Sequence, residues 1–188
     1  MNRDEIVDRA IEVVEASGWE ALSLRALARD IGVTAPALYE YINSKDDLLR
    51  SVAQAGYAAL GERWESIGGT PIERLRETGR SYVAFAVERP ELFKLMFQYA
   101  PAAITGGVDY EHPAATRLFE EGLDDIRKAI ADGDLADADP VELGVSLWAA
   151  AHGVATVLLM APDLQDDLWL ADRVLDAVLA GLRPGSAG

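Results

Sequence analysis

Apolar residues recur three and four positions apart along almost the whole chain, and no run alternates one-in-two as a half-buried strand would. Ile6, Val7, Ala10, Ile11, Val13 and Val14 make a first stripe, closed by Gly18. Ser23 starts a short helix with Leu24, Leu27, Ala28 and Ile31 ahead of Gly32, and Thr34 starts another from Ala35 to about Ile42. A longer helix from about Ser44 carries Leu48, Leu49, Val52, Gly56, Leu60 and Trp64 and stops at Gly68-Gly69. Thr70-Pro71-Ile72-Glu73 combines a cap, a proline at the first helical position and a glutamate three residues on, so it opens a helix running to about Arg89. Pro90 begins a shorter aromatic helix with Leu92, Phe93, Met96 and Phe97. Pro101 to Pro113, with Gly106-Gly107 at its centre, reads as a loop. The stripe returns from Ala115 to Ile130, and two more helices are expected at about 140–161 and 164–182, before a frayed tail from Pro184 to Gly188. The expected class is all-α, with about nine helices.

Composition removes several kinds of chemistry. The chain has 188 residues, 17 basic against 32 acidic, and no cysteine, which excludes disulfides, zinc ribbons, iron–sulfur clusters and thiol catalysis. Its two histidines, His112 and His152, are 40 residues apart, so no histidine-rich metal site is expected. The acidic run from Asp132 to Asp139 misses the calcium-loop pattern, because Ala136 takes a ligand position and Asp137 the place of the required glycine. No metal and no cofactor are expected. Gly144 to Ala161 is 18 residues without a formal charge, near the length of a membrane span. Acidic residues flank it on both sides and no Lys or Arg anchors it, so it reads as a twice-buried helix. The first residues lack the pattern of a signal peptide, and a cytoplasmic location without membrane contact is expected. No phosphate-binding glycine loop or nucleophile–His–acid set points to an enzyme.

Residues 23–45 carry the functional information. Two short helices meet at Gly32-Val33-Thr34. Ala28 is small where the second helix crosses, Gly32 can take the positive φ that turns the chain, and Leu38 locks the second helix onto the first. This is the spacing of a helix-turn-helix, although spacing alone fits any tight helical hairpin. Groups suited to phosphate oxygens surround it: the phenols of Tyr39 and Tyr41, the ammonium of Lys45, and the hydroxyls and free amides of Ser23 and Thr34 at helix N-termini. Ala35 and Ala37 can touch thymine methyls, while Glu40 either accepts from cytosine or stays solvated.

From Ile6 to about Leu49 the sequence resembles the TetR family of one-component transcriptional regulators. The likeness rests on an amphipathic first helix, then Gly-Trp, Ser-Leu-Arg-Ala-Leu-Ala, Ile-Gly-Val-Thr, and Leu-Tyr-Glu-Tyr-Ile-Asn-Ser-Lys-Asp-Asp-Leu-Leu. Further on, the segment from Tyr82 to Phe93 and Trp148-Ala149-Ala150-Ala151-His152-Gly153 are similar to a subgroup with a Trp…His-Gly signature in its ligand domain. The resemblance implies a DNA-reading domain at 1–47, and a ligand-binding and dimerisation domain at 48–184. It implies a homodimeric repressor that a small-molecule effector, apolar or cationic, releases from a palindromic operator in double-stranded DNA. Ser23, Arg25, Thr34, Ala35, Ala37, Tyr39, Tyr41 and Lys45 are then the candidate DNA contacts.

Two features depart from that pattern. Ile42 stands where an aromatic residue usually follows Tyr41. Residues 1–50 hold six basic and ten acidic side chains, a net of −4, whereas DNA binding is usually driven by positive charge. Basic groups must therefore face DNA while carboxylates face away.

The last two helices each carry a seam. Leu143, Leu147, Ala150, Val154 and Val157 form one, and Leu168, Ala171, Leu175, Val178 and Leu182 the other. Leu143, Leu147, Val154, Leu168, Leu175, Val178 and Leu182 are expected either at a two-fold four-helix interface or in simple interior packing. The aromatics Tyr82, Phe85, Phe93, Phe97, Phe119 and Trp148, with His152 four residues beyond Trp148, enclose either an effector pocket or a solid core. Competing readings are a helical protein-interaction module without DNA binding, and a helical enzyme using His152 with a carboxylate.

Overall fold

The first helix is tied at its start by a reciprocal cap: Asn2 accepts from the Glu5 backbone N–H, and the Glu5 carboxylate accepts from the Asn2 N–H. Helix α1 (Arg3–Ser17) follows and ends at Gly18. The computed structural model describes residues 2–99 and 113–185, and among these nine α-helices and no strand are found. The loop expected from Pro101 lies outside the described residues up to Pro113, as do His112 and the last three residues.

Caps read from the sequence hold as drawn. Ser23, Thr34 and Ser44 each accept from a backbone N–H three residues on, starting α2 (Leu24–Asp30), α3 (Ala35–Leu38) and α4 (Lys45–Glu65). Thr70 and Glu73 form a second reciprocal cap at α5 (Pro71–Glu88), and α6 (Pro90–Gln98) follows at once. Helix α7 (Pro113–Ala131) leads into the acidic turn, where Asp139 caps α8 (Pro140–Met160); α9 (Trp169–Gly181) closes the chain.

Two boundaries differ from expectation. Helix α3 stops at Leu38 rather than Ile42, because the chain tightens: Glu40 and Tyr41 donate three residues back, to Ala37 and Leu38. The Tyr41 carbonyl instead accepts from the Arg3 guanidinium on α1. Helix α9 begins at Trp169 rather than 164, because Asp167 and Leu168 both take φ of 54°, a conformation no helix continues through.

One apolar core runs through α1, α2, α4 and α6 into α8 and α9, from Ile6, Leu27 and Leu38 past Val52 and Met96 to Leu158 and Leu175. A second cluster joins α5, α7, α8 and α9 through Leu75, Leu123, Ile126, Leu143, Leu147 and Leu179. The boundary expected at residue 47 falls in the first turn of α4, so both regions share that helix. Gly56 is where α4 and α6 come closest: a Cβ there would lie 2.7 Å from Met96 Sδ. Helix α8 is long and apolar enough to cross a membrane by length and composition alone, yet Leu143, Leu147, Ala151, Val154 and Leu158 are buried against the rest of the fold.

That burial extends to most of the seam. Leu143, Leu147, Val154 and Leu175 are at most 9% exposed within the single chain, and Val178 and Leu182 pack partly buried on the second cluster. Leu168 precedes α9 as its left-handed cap and packs partly buried on the first core. Leu143, Leu147, Val154 and Leu175 thus pack within the chain, where α8 and α9 meet α5 and α7, whereas Val157 of the same seam is exposed. The outward face of α8 is instead Ser146, Ala149, Gly153, Thr156, Val157 and Met160, with Trp169 exposed on α9.

Candidate functional site

The N-terminal region, here called the head, turns at Gly32, whose φ of +76° is the left-handed conformation the motif requires. Leu38 and Ile42 are 0% and 1% exposed, so the segment 35–42 is pinned by its inward side chains. Its outward side chains remain open: Tyr39 is 54% exposed and Tyr41 37%. Ala35 and Ala37 are partly exposed, and Glu40 is exposed beside them.

Ion pairing sorts the head's six basic side chains. Arg3 pairs with Asp47 at 2.8 Å, Arg9 with Asp30 and Glu12, and Arg50 with Asp46 at 2.9 Å. Among the described residues Arg25, Arg29 and Lys45 have no carboxylate partner. Lys45 Nζ donates one hydrogen bond to the Glu20 carbonyl, at 2.9 Å, and keeps further N–H groups for another acceptor. These three cations, outside the head's ion pairs, sit on α2 and at the start of α4. Arg29 was not among the candidates read from the sequence. Its signal was there, since it follows Arg25 by four residues on α2 and shares its face.

Two carboxylates at the start of α4 are held charged. The Arg3 guanidinium and the Asn43 backbone N–H keep Asp47 below the usual carboxylate range. The Tyr99 hydroxyl, at 2.7 Å, and Arg50 do the same for Asp46. Burial and that same hydrogen bond push Tyr99 up to about 12. Tyr99 therefore joins the end of α6 to the first turn of α4.

In the rest of the molecule, the body, a cavity of about 130 Å³ lies among α4, α5, α6, α7, α8 and α9. Four of the seven aromatic and histidine candidates line it: Tyr82, Phe97, Phe119 and Trp148. Phe93 and His152 stand behind them. His152 stacks on Trp148 with ring centres 5.1 Å apart and on Phe93 at 5.7 Å. Tyr82 Oη lies 2.9 Å from His152 Nδ1. Burial pushes the tyrosine up and the histidine down, which favours a hydrogen bond between a neutral phenol and a neutral imidazole. Phe85 is elsewhere: Arg63 and Arg89 lie over its ring, at 5.4 and 5.6 Å from its centre.

Sequence reasoning missed the side of the cavity built by α4, where Tyr57, Leu60 and Trp64 line it. It also missed Gly79, Gly122 and Gly144 on three different helices. The legible signal was glycine itself, which costs a helix interior about 1 kcal/mol against alanine and marks a place where side-chain volume is withheld. A Cβ on Gly122 would meet nothing within 4 Å. At the head end, α4 follows the recognition segment through Asn43 and Ser44, so one rigid element reaches from the exposed tyrosines to the cavity wall.

Comparison with known proteins adds the following. The family model described as bacterial regulatory proteins, tetR family, matches residues 6–52, and the one described as tetracyclin repressor-like, C-terminal domain, matches 75–182. The HTH-type transcriptional regulator Rv0681 of Mycobacterium tuberculosis, itself uncharacterised, is 27% identical over 171 residues, covering 89% of this chain and 74% of that protein. The HTH-type transcriptional repressor KstR of Mycolicibacterium smegmatis is 29% identical over 136 residues, covering 65% of this chain and 63% of KstR. A solved structure of a protein of unknown function from Rhodococcus sp. RHA1 superposes with a TM-score of 0.78 at 27% identity, covering 96% of this chain and 95% of that one.

Proposed function

Because this chain belongs to the TetR family of helix-turn-helix transcriptional regulators, we propose that it works as a homodimeric, cytoplasmic repressor of a palindromic operator. A small molecule in the cavity of the body releases the DNA. The observation that carries this reading is the sorting of charge on the head: Arg25, Arg29 and Lys45 stand outside its ion pairs, and Tyr39 and Tyr41 are exposed on the helix-turn-helix, in a region of net negative charge.

In this reading Arg25, Arg29, Lys45, Tyr39 and Tyr41 hold phosphates, with Ser23 and Thr34 offering helix N-termini. Ala35 and Ala37 face base edges and set sequence preference. The partner copy covers the outward face of α8, where small residues at Ala149 and Gly153 allow close helix approach, together with Met160 and Trp169. Helix α4 carries the signal. Its far end, Tyr57 to Trp64, forms cavity wall, and its near end positions the recognition segment. A ligand that fits the cavity better in the DNA-free arrangement shifts α4 and changes the separation of the two heads. A coupling of about 1–3 kcal/mol weakens DNA binding roughly 5–150-fold.

The test starts with selection of operator sequences from random duplex DNA. The selected sites should be palindromic, with half-sites about one helical turn apart, roughly 34–36 Å, or more if the heads splay. Arg25→Ala and Lys45→Ala should each reduce the salt dependence of binding by about one unit and weaken all sequences alike. Unchanged salt dependence in both variants overturns the phosphate assignment. Failure to select any duplex leaves the protein-interaction module as the better reading, in line with the head's net negative charge.

A further inference from the structure

We propose that two clusters at the ends of α6, each made of a guanidinium, an aromatic ring and a carboxylate, latch the head to the body at a fixed angle. Tyr99 and Arg89 are their positioning residues. The proposal rests on the reading of the chain as a dimer on a two-fold operator, and adds what sets the half-site spacing that the dimer accepts.

At the C-terminal end of α6, Tyr99 Oη donates to Asp46 in the first turn of α4, at 2.7 Å. Arg50, one turn further along α4, pairs with the same carboxylate at 2.9 Å and lies over the Tyr99 ring, 4.9 Å from its centre. At the N-terminal end, Arg89 pairs with Glu15 near the end of α1 and lies 5.6 Å from the centre of the Phe85 ring. Arg63 of α4 approaches the same ring at 5.4 Å. Each cluster thus takes its ring from the body and its carboxylate from the head.

Between the two clusters α6 meets α4 through apolar contact, with Leu92 and Met96 against Gly56. Apolar burial is non-directional and resists separation more than rotation. Hydrogen bonds to a charged group, and a guanidinium over a ring, hold one geometry. Arg89 and Tyr99 are ten residues apart in the chain, roughly 15 Å along a helix. Two anchors at that separation constrain a tilt that a single contact would leave open. Asp46 directly follows Lys45, a candidate phosphate contact, so a change of tilt at Asp46 moves Lys45 with it. One added base pair shifts a half-site by roughly 3.4 Å and 35°, which a head held at a fixed angle cannot follow.

A distance within one protomer tests the latches without DNA. The chain has no cysteine, so Asp8→Cys on α1 and Asp132→Cys after α7 alone take spin labels, and both positions are exposed. Dilution with unlabelled chain leaves one labelled copy per dimer. Pulsed electron paramagnetic resonance should give a narrow distance distribution in this labelled parent. The distribution should widen in Tyr99→Phe, which keeps the ring and removes the hydroxyl, and in Glu15→Gln, which keeps the shape and removes the charge. Asp124→Asn breaks an exposed ion pair on α7 and should leave the width unchanged.

DNA then tests the consequence, on the selected operator and on versions with one base pair added or removed between half-sites. Both latch variants should lose about threefold to tenfold of the wild-type preference for the selected spacing, with the salt dependence of binding unchanged. A uniform change of affinity from the altered charge cancels in that ratio. An unchanged distance distribution in both latch variants, or equal widening in Asp124→Asn, overturns the latches. Widening that leaves the spacing preference at the wild-type value overturns their part in DNA reading. Failure to select any duplex counts against the proposed function instead, and the distance measurement still decides the latches.

Discussion

The head and the body solve opposite packing problems with the same element, the capped amphipathic helix. In the head, Ile6, Leu27, Leu38 and Ile42 are at most 2% exposed and close a core that only side chains occupy. Everything chemically active lies on the outside: unpaired cations, exposed phenols, helix N-termini. In the body, Gly79, Gly122 and Gly144 lie within three continuous helices that line a cavity, and only at Gly122 would a Cβ meet open space. There the outside is ordinary and the inside is chemically distinctive, with aromatic walls and no charged side chain among the described lining residues. The difference teaches where each region can tolerate change. A reading surface needs a rigid support, so its core is filled. A binding interior needs room, so helix propensity and dispersion contacts are given up to provide it.

The largest effect expected concerns the boundary between inside and outside in the body. Leu175 is 1% exposed, with its Cδ2 3.0 Å from where a Gly79 Cβ would lie. Leu175→Asp should destabilise the protomer by more than about 3 kcal/mol, read as a lowered urea midpoint, because a charge replaces a packed side chain with no partner nearby. A folded monomer of normal stability would return the seam to the surface and break the comparison.

Next comes the contrast between filled and hollow. Leu38→Ala in the head should cost about 2–5 kcal/mol, whereas Gly122→Ala in the body should be neutral or stabilise by up to about 1 kcal/mol. Similar destabilisation by both would mean that the body is as tightly packed as the head at that point.

The smallest effect is a difference in acid response. Asp46 and Asp47 titrate below the usual carboxylate value in the folded head. Their contribution is present above the unfolded value of about 3.9 and is lost as pH falls through the lower folded values. His152 is also depressed when folded. Below about pH 6.5 the unfolded chain takes up a proton that the folded imidazole resists, so body stability falls as pH drops towards the folded value. His152 is partly exposed, so the loss should stay under about 1 kcal/mol. Denaturation between pH 7 and 5 should show it in the wild type and not in His152→Gln, while Asp47→Asn should alter only the response below about pH 4.

Much of this was readable residue by residue. Ser23, Thr34 and Thr70 cap their helices through contacts within three residues of themselves, and Gly32 turns where a glycine must. Such signals survive in the sequence because the physics that produces them is local. Where a helix end depends on distant groups, the reading slipped. Arg3 reaches across 38 residues to the Tyr41 carbonyl, and no local pattern foretells that α3 ends at Leu38. Nothing in Asp167 or Leu168 announces a left-handed pair before α9, since neither is glycine.

By itself, then, the amino-acid order determined the number and class of the helices, their caps and the helix-turn-helix, all of which follow from periodicity and from bonds within one turn. Only the tertiary structure decided which way each apolar stripe faces, which of the head's cations find carboxylates, and where the body leaves space. The physical reason is the same in each case. Periodicity fixes the angle between residues on one helix but not the neighbour that each face meets. Contacts such as Arg3 with Asp47, Leu175 with Gly79 and Tyr82 with His152 join residues that only the packed fold brings together.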